Sequence, residues 1–221
     1  MVLSDKDLHF YEVPHGLIIY CEESKVKACY HTLRCSTVDF DEIVPAYDTI
    51  GILKRGQSYK DLKQKIKEIF SQVPEFETPN DAIIHTIPIL YENENSDLVY
   101  LSEELGLSQE EIIEIHSSSI YEVALIGFLP GFVYLSGLDE RIHHARKYTP
   151  RMHVRKGSVG IAGHQTGIYP SDSPGGWQII GITPLKMFDP SSANIVPFTM
   201  GSKVKFEPIA QEEFAKMNGH E

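Results

Sequence analysis

The segment 163–181, GHQTGIYPSDSPGGWQIIG, constrains the fold of this chain more than any other stretch. It contains five glycines, two prolines and the only tryptophan of the protein, Trp177. It shows neither the period of a helix nor the alternation of a strand. Glycine lets the backbone approach a ligand closely, and an indole ring can form a pocket wall. The residues alone leave two interpretations open: a ligand pocket, or a barrel that Trp177 fills and whose tight corners the glycines form.

The C-terminal half as a whole shares this character. Ten of the sixteen glycines lie between Gly127 and Gly181, where they separate short apolar runs. Dense turn residues between short apolar runs are typical of a closed or sandwich-like all-β unit.

The N-terminal part has a different pattern. After an opening hairpin at His15-Gly16, the order is an amphipathic helix at 24–35, two strands, an amphipathic helix at 58–70 and then a strand at 82–91, AIIHTIPILY. This order favours a small α+β sandwich of the split βαβ kind. We therefore predict an α+β chain with two domains, residues 1–85 and 86–221, and a boundary near 80–92.

Composition excludes several classes of protein. The formal net charge of −11 argues against nucleic acid as a partner, because phosphate binding needs a basic surface. No apolar run approaches the roughly 18 residues of a membrane span, and residues 1–10 do not resemble a signal peptide. The cysteines Cys21, Cys29 and Cys35 lack C-x-x-C spacing, so we interpret them as reduced thiols of a cytoplasmic protein.

The usual catalytic motifs are missing from the sequence. KGSVG around Ser158 is not a G-x-S-x-G nucleophile elbow, and GFLPGF lacks the lysine and hydroxyl of a phosphate loop. The ten histidines show no H-E-x-x-H or similar spacing. We therefore predict no metal in this chain and assign no catalytic residue.

A basic run from Arg141 to Lys156 stands out in this acidic chain. It carries six arginines and lysines and no carboxylate. It either attracts an anion or is a solvated loop whose charges balance acidic neighbours. Arg151 is the best single candidate for an anion ligand, because Thr149-Pro150 restricts the backbone that presents its guanidinium.

His116 follows Ile112 and Ile113 at helical spacing, so it faces the core side of its helix. From the residues alone, we interpret it as a hydrogen-bonded core histidine. Polar or large side chains on the glycine-rich turns are further candidates for a pocket, namely Gln165, Thr166, Tyr169 and Trp177.

Long motifs resemble one known family. They are GFLPGFVYLSGL (127–138), TPR (149–151), GSVGIAGHQTGIYP (157–170) and SPGGWQIIG (173–181), with shorter matches in DEIVPAY, HSSSIYEVALIGF, TPLKMFDP and KFEPI. These segments are similar to the family of KipI sporulation-kinase inhibitors, allophanate hydrolase subunit 1 and the 5-oxoprolinase B subunit (PxpB). The resemblance extends over nearly the whole chain.

The resemblance implies a fold and a set of partners. It implies an N-terminal ferredoxin-like α/β sandwich, a C-terminal cyclophilin-like β-barrel, and a role as the B subunit of an ATP-dependent 5-oxoprolinase that hydrolyses 5-oxo-L-proline to L-glutamate. The implied partners are a second cyclophilin-like subunit of the KipA/PxpC type and a LamB/YcsF-type subunit, with ATP used in the complex and the isolated chain inert.

The resemblance also turns the glycine-rich turns into a predicted pocket wall at the barrel mouth. The predicted ligand-binding residues are His116, Phe128, Pro130, Gly131, Phe132, Tyr134, Arg151, Gln165, Thr166, Tyr169, Gly175, Gly176 and Trp177. We expect His116, Gln165, Tyr169 and Trp177 to line one pocket.

The chain departs from the family pattern at three places. Ile182 replaces the arginine of IGRTP, Met200-Gly201-Ser202 replaces P-G-D, and VRKGS (154–158) replaces V-P-A-G-S. A divergent paralogue is therefore an open alternative. So are an inhibitor that binds a sensor histidine kinase and an allophanate hydrolase-like subunit.

Overall fold

The computed structural model describes residues 8–71, 83–91, 94, 96–192 and 195–218. The chain divides into two compact units, Met1–Asp81 and Ala82–Glu221. Helices and sheets occur in both units, so the predicted mixed α+β class is confirmed.

The first unit is a four-stranded antiparallel sheet with two helices, in the sheet order β1-β2-β4-β3. Its elements are β1 (His9–Val13), β2 (Gly16–Tyr20), α1 (Glu23–Cys35), β3 (Glu42–Pro45), β4 (Thr49–Leu53) and α2 (Tyr59–Ser71). Both helices pack on this sheet and on each other. Leu17 and Ile19 of β2, Ile50 and Ile52 of β4 and the apolar face of the helices form a buried core.

The second unit contains the remaining strands and helices. They are β5 (Ile84–Ile89), α3 (Leu98–Leu105), α4 (Gln109–Ser118), β6 (Ile120–Ile126), β7 (Val133–Ser136), β8 (Arg151–Val154), β9 (Ser158–Ala162), β10 (Gln165–Ile168), β11 (Ser173–Gly175), β12 (Gln178–Ile182), β13 (Lys203–Pro208) and α5 (Gln211–Asn218). Helix α4 begins with a complete capping box between Ser108 and Glu111.

Seven of these strands form one mixed sheet in the order β12-β9-β10-β7-β6-β13-β5. The sheet curls so far that its two edges meet. Leu90, which follows β5, and Ile182 of β12 exchange two backbone hydrogen bonds of 2.9 Å. Strand β5 pairs in parallel with β13. The strand predicted at 82–91 therefore belongs to this sheet and not to the N-terminal sandwich.

The segment 163–181 contains β10, β11 and all but the last residue of β12, although its sequence shows no strand period. The reason is burial on both faces, since all four residues of β10 are buried. A strand covered on both faces has no alternation of polar and apolar residues to detect.

Within the described residues, no helix has the length and apolar character needed to cross a membrane.

Candidate functional site

Strand β10 separates two groups of side chains in the second unit. Thr166 and Ile168 are buried towards the main hydrophobic core, which includes residues of α3 and α4. Gly167 and Tyr169 face a second group that we call the aromatic cluster, formed by Phe132, Tyr134, Tyr169 and Trp177. Successive residues of a strand point to opposite faces of the sheet, so the two groups lie on opposite sides of β10.

The aromatic cluster is built around Phe132. Its ring centroid lies 4.6 Å from Tyr134, 5.0 Å from Tyr169 and 5.4 Å from Trp177, mostly edge to face. Such tilted and T-shaped arrangements are the favourable geometry for aromatic pairs. The guanidinium of Arg146 lies 5.7 Å from the Trp177 ring centre and covers one side of it. These rings hold three separate glycine-rich segments together.

The glycines make room for these rings. A Cβ at Gly167 would lie 2.9 Å from Trp177 Cζ3 and 2.8 Å from the Val133 carbonyl oxygen. A Cβ at Gly175 would overlap the Tyr169 hydroxyl, and one at Gly160 would lie 3.1 Å from Trp177 Cβ. The largest side chain and the least bulky residues therefore occur together because the indole packs directly on the backbone.

Phe128 extends the aromatic cluster to the surface. It is 68% exposed, and its ring lies 5.6 Å from Phe132. Its φ of 71° falls in the left-handed region, which a non-glycine residue rarely adopts. A backbone hydrogen bond of 2.9 Å from Phe132 to Leu129 closes this turn. A strained backbone that presents an exposed aromatic ring is typical of a recognition site.

Asp97 anchors the basic run to the sheet. One oxygen of its carboxylate accepts a hydrogen bond from Arg151 at 2.5 Å and forms an ion pair with Lys147 at 2.9 Å, and the other accepts from the Ile179 N–H at 2.7 Å. The Asp97 side chain is only 8% exposed. Arg151 is therefore placed beside Trp177 by an ion pair that satisfies much of its charge. Asp97 was not predicted from the sequence, where its only signal is an acidic residue just before helix α3.

His116 lies in the main core. Its Nε2 is 2.9 Å from the Thr166 hydroxyl, which itself donates to the Gly160 carbonyl, and its Nδ1 is 2.7 Å from the Tyr91 hydroxyl. Thr166 therefore accepts from Nε2–H, and Tyr91 donates to Nδ1. Complete burial lowers the pKa of His116 to about 3. Both ring nitrogens are occupied in the neutral state.

We expect the His116 ring to remain neutral at every physiological pH. The unfolded chain binds a proton there near the ordinary pKa of about 6.5, whereas the folded chain does so only near a pKa of about 3. The stability that the neutral His116 ring contributes is thus fully present above about pH 6.5. Below that pH, the free energy of unfolding falls by about 1.4 kcal/mol per pH unit until the folded-state pKa of about 3 is reached. Ring signals of His116 that titrate between about pH 5 and 8 in NMR spectra would contradict this result.

The predicted ligand residues do not form a single pocket. Phe132, Tyr134, Tyr169 and Trp177 come together, with Phe128 and Arg151 adjacent. His116 and Thr166 form a hydrogen-bonded pair on the other side of β10. The remaining predicted residues lie on the segments that carry the cluster: Pro130 and Gly131 before β7, Gln165 on β10, Gly175 on β11 and Gly176 before Trp177.

Strand geometry explains this division. Gln165 and Thr166 are adjacent in β10, so their side chains leave opposite faces of the sheet. His116 reaches the sheet from the side of α4 and contacts only the Thr166 face.

Among the described residues, no group of three or more His, Cys, Asp or Glu side chains is placed to hold a metal ion.

Comparison with known proteins gives consistent matches. The family described as carboxyltransferase domain, subdomain C and D, matches residues 14–198. The 5-oxoprolinase B subunit of Bacillus subtilis is 36% identical over 208 residues, which are 91% of this chain and 85% of that protein. The Haemophilus influenzae 5-oxoprolinase B subunit is 42% identical over 149 residues, 67% of this chain and 69% of that protein.

A solved structure has a similar fold. The crystal structure of TTHA0988 superposes with a TM-score of 0.76 at 28% sequence identity. The match covers 88% of this chain and 40% of that chain, so the chain spans less than half of TTHA0988.

Proposed function

The chain belongs to the carboxyltransferase subdomain C and D family, and from this membership we propose that it is the B subunit of an ATP-dependent 5-oxoprolinase, the complex that opens 5-oxo-L-proline to L-glutamate. The observation that carries the proposal is the identity of 36% to a 5-oxoprolinase B subunit over 91% of this chain. A match of that extent includes both units, the aromatic cluster and the basic run.

A five-membered lactam is a poor electrophile, so its opening needs an activated carbonyl oxygen. In the complex, ATP would supply the phosphoryl group that makes this oxygen a leaving group. The described residues of this chain offer surface for recognition, namely aromatic rings and a basic run. The Thr166 hydroxyl that contacts His116 is fully buried and donates its proton to the Gly160 carbonyl, so this pair is not placed as a nucleophile and a base. We therefore infer that this chain binds and orients the substrate. A second barrel subunit of the KipA/PxpC type and a LamB/YcsF-type subunit would complete the active site.

Three finer features belong to this proposal. A cyclophilin-like barrel fold of the second unit is supported by the contact between its two sheet edges at Leu90 and Ile182. A ferredoxin-like fold of the first unit is supported by its two helices, which pack on an antiparallel sheet. A cytoplasmic location is supported by the free cysteines Cys21, Cys29 and Cys35.

Reconstitution tests the proposal. The isolated chain should release no glutamate from 5-oxoproline and ATP, whereas the chain with its two partner subunits should. Phe128→Ala should lower the activity of the complex about 10-fold or more with an unchanged melting temperature, because it removes an exposed ring that we place at the shared site. Tyr11→Ala, which removes a 63% exposed ring in the first unit, is the matched control.

Three results would contradict this assignment. Glutamate release by the purified chain alone would show that no partner is needed. Tight binding to a sensor histidine kinase, without binding to a barrel partner, would favour the kinase-inhibitor hypothesis. Turnover of allophanate by the complex in place of 5-oxoproline would favour the allophanate hydrolase-like hypothesis.

A further inference from the structure

The cations of the basic run differ in whether an acid neutralises them. Three of them form ion pairs with Asp97 or Asp139, namely Arg141, Lys147 and Arg151. Arg146, in contrast, is exposed, and among the described residues no carboxylate contacts it. Its guanidinium lies 5.7 Å from the centre of the Trp177 ring, at the aromatic cluster. A cation–π contact leaves the N–H groups of an arginine available for hydrogen bonds to an anion.

The backbone on both sides of Arg146 is fixed by three hydrogen bonds to neighbouring segments. Their donors and acceptors are the Gly163 N–H and the His144 carbonyl, the Gln178 amide and the Ala145 carbonyl, and the Lys147 N–H and the Gly176 carbonyl, at 2.7, 3.1 and 2.7 Å. Gly176 directly precedes Trp177, so the last of these bonds holds the chain of Arg146 next to the indole. A binding group on a fixed backbone loses less conformational entropy when a ligand binds.

The charge of Arg146 also reaches the two tyrosines of the aromatic cluster. Burial raises the pKa of the Tyr134 hydroxyl, and the nearby guanidinium offsets part of this rise. Burial likewise raises the pKa of Tyr169, against a hydrogen bond from the Trp177 N–H and the charge of Arg146. Both hydroxyls therefore stay uncharged at neutral pH and do not neutralise the guanidinium.

An unpaired guanidinium beside aromatic rings favours a ligand with a carboxylate and a small ring. The planar fork of an arginine matches the two oxygens of a carboxylate. Tyr134 is only partly buried, and its ring lies 5.7 Å from the Trp177 ring, so it offers apolar surface close to the charge of Arg146. One unpaired arginine matches one carboxylate, whereas a polyphosphate needs several cations.

We propose that Arg146 binds the carboxylate of a small cyclic acid whose ring packs beside Tyr134. The identity of this acid as 5-oxo-L-proline rests on the proposed function. Arg146 then makes the site select a charged lactam over an uncharged one. The carboxylate takes no part in opening the ring, so the loss of Arg146 changes KM more than kcat.

The fluorescence of Trp177 measures binding to the full chain, because it is the only tryptophan and Arg146 lies over its ring. We expect 5-oxoproline to give a saturable change, and its uncharged amide and inorganic phosphate to bind about 10-fold more weakly or worse. Arg146→Gln should weaken the binding of 5-oxoproline about 10-fold or more and leave the binding of the amide unchanged. Circular dichroism melting curves establish that each variant is folded.

Arg34→Gln is the matched control for this substitution. Arg34 is also an exposed arginine over an aromatic ring, with its guanidinium 5.8 Å from the centre of the Tyr30 ring, but it lies in the first unit. The same change of charge and size there should leave the binding of 5-oxoproline unchanged.

The reconstituted complex distinguishes recognition of the carboxylate from a structural role of Arg146. Arg146→Gln should raise the KM for 5-oxoproline about 10-fold or more and leave the KM for ATP unchanged, because the lost group contacts only the carboxylate. Arg146→Lys should restore part of the loss, since an ammonium keeps the charge without the planar fork.

Three results would overturn the proposal: equal binding of 5-oxoproline by the wild type and Arg146→Gln; no saturable binding by either the chain or the complex; or weaker association of Arg146→Gln with the partner subunits at an unchanged KM, which would make Arg146 an interface residue. A complex that releases glutamate with the same KM for both forms overturns this inference alone. Binding of 5-oxoproline through Arg146 by a chain whose complex releases no glutamate contradicts the proposed function alone.

Discussion

Asp97→Ala should lower the free energy of unfolding of the second unit by about 3–5 kcal/mol, because removal of one partner from a buried ion pair leaves uncompensated charge. The carboxylate accepts hydrogen bonds from Arg151 and the Ile179 N–H and forms an ion pair with Lys147. All three groups lose their partner together. The Arg151 side chain is 29% exposed, so partial hydration of its guanidinium places the loss nearer the lower value.

Urea unfolding followed by tryptophan fluorescence is the appropriate measurement, since Trp177 is the only tryptophan and lies in the second unit. Glu207→Ala, at an exposed carboxylate of β13, is the control and should change stability by less than about 0.5 kcal/mol. Asp97→Asn should destabilise the second unit by an amount between the losses for Asp97→Ala and Glu207→Ala, because the amide oxygen can still accept a hydrogen bond from the Ile179 N–H. A loss below about 1 kcal/mol for Asp97→Ala would mean that the ion pair is solvated and does not anchor the basic run.

Local sequence signals predicted the helices of this chain well. The amphipathic pattern at 58–70 corresponds to α2, and the pattern at 24–35 corresponds to α1. The capping-box spacing of Ser108 and Glu111 coincides with the start of α4. These features depend on residues three or four positions apart, which is the distance over which sequence patterns carry information.

The pairing of strands could not be predicted in the same way. Strand β5 pairs with β13, more than a hundred positions later, and its parallel register leaves no local signal. The β5 sequence therefore fitted the N-terminal sandwich as well as the sheet in which it lies. Asp97 was missed for the same reason, since its partner Arg151 is 54 positions away.

Part of the candidate site could be predicted from composition and part could not. Glycines beside a tryptophan indicated close packing around an indole, and Phe132 does contact both Tyr169 and Trp177. Gln165 and Thr166 were both predicted to bind the ligand because the strand β10 was not recognised. Once its bounds are known, the alternation of side chains assigns them to opposite faces.

Gly167→Ala should destabilise the second unit by about 1–3 kcal/mol, the usual cost of an added methyl group in a packed core. The new Cβ would lie 2.9 Å from Trp177 Cζ3, 3.2 Å from Phe132 Cε1 and 2.8 Å from the Val133 carbonyl oxygen. Gly51→Ala is the matched control, because a Cβ there would make only ordinary contacts at 3.7 Å or longer.

Trp177→Ala alone should cost about 3–5 kcal/mol, the usual loss for a buried aromatic side chain. The double variant, which combines Gly167→Ala with Trp177→Ala, distinguishes a ring-packing role of Gly167 from a general preference for glycine at this position. Its unfolding is followed by circular dichroism because no tryptophan remains. If the ring is the main obstacle, Gly167→Ala should cost clearly less in the Trp177→Ala background. Part of the cost should persist, since the Val133 oxygen is backbone and cannot move away as a side chain can. Strict additivity of the two changes would show that the glycine and the indole are not packed against each other, and close packing around Trp177 would then not account for the glycine-rich segment.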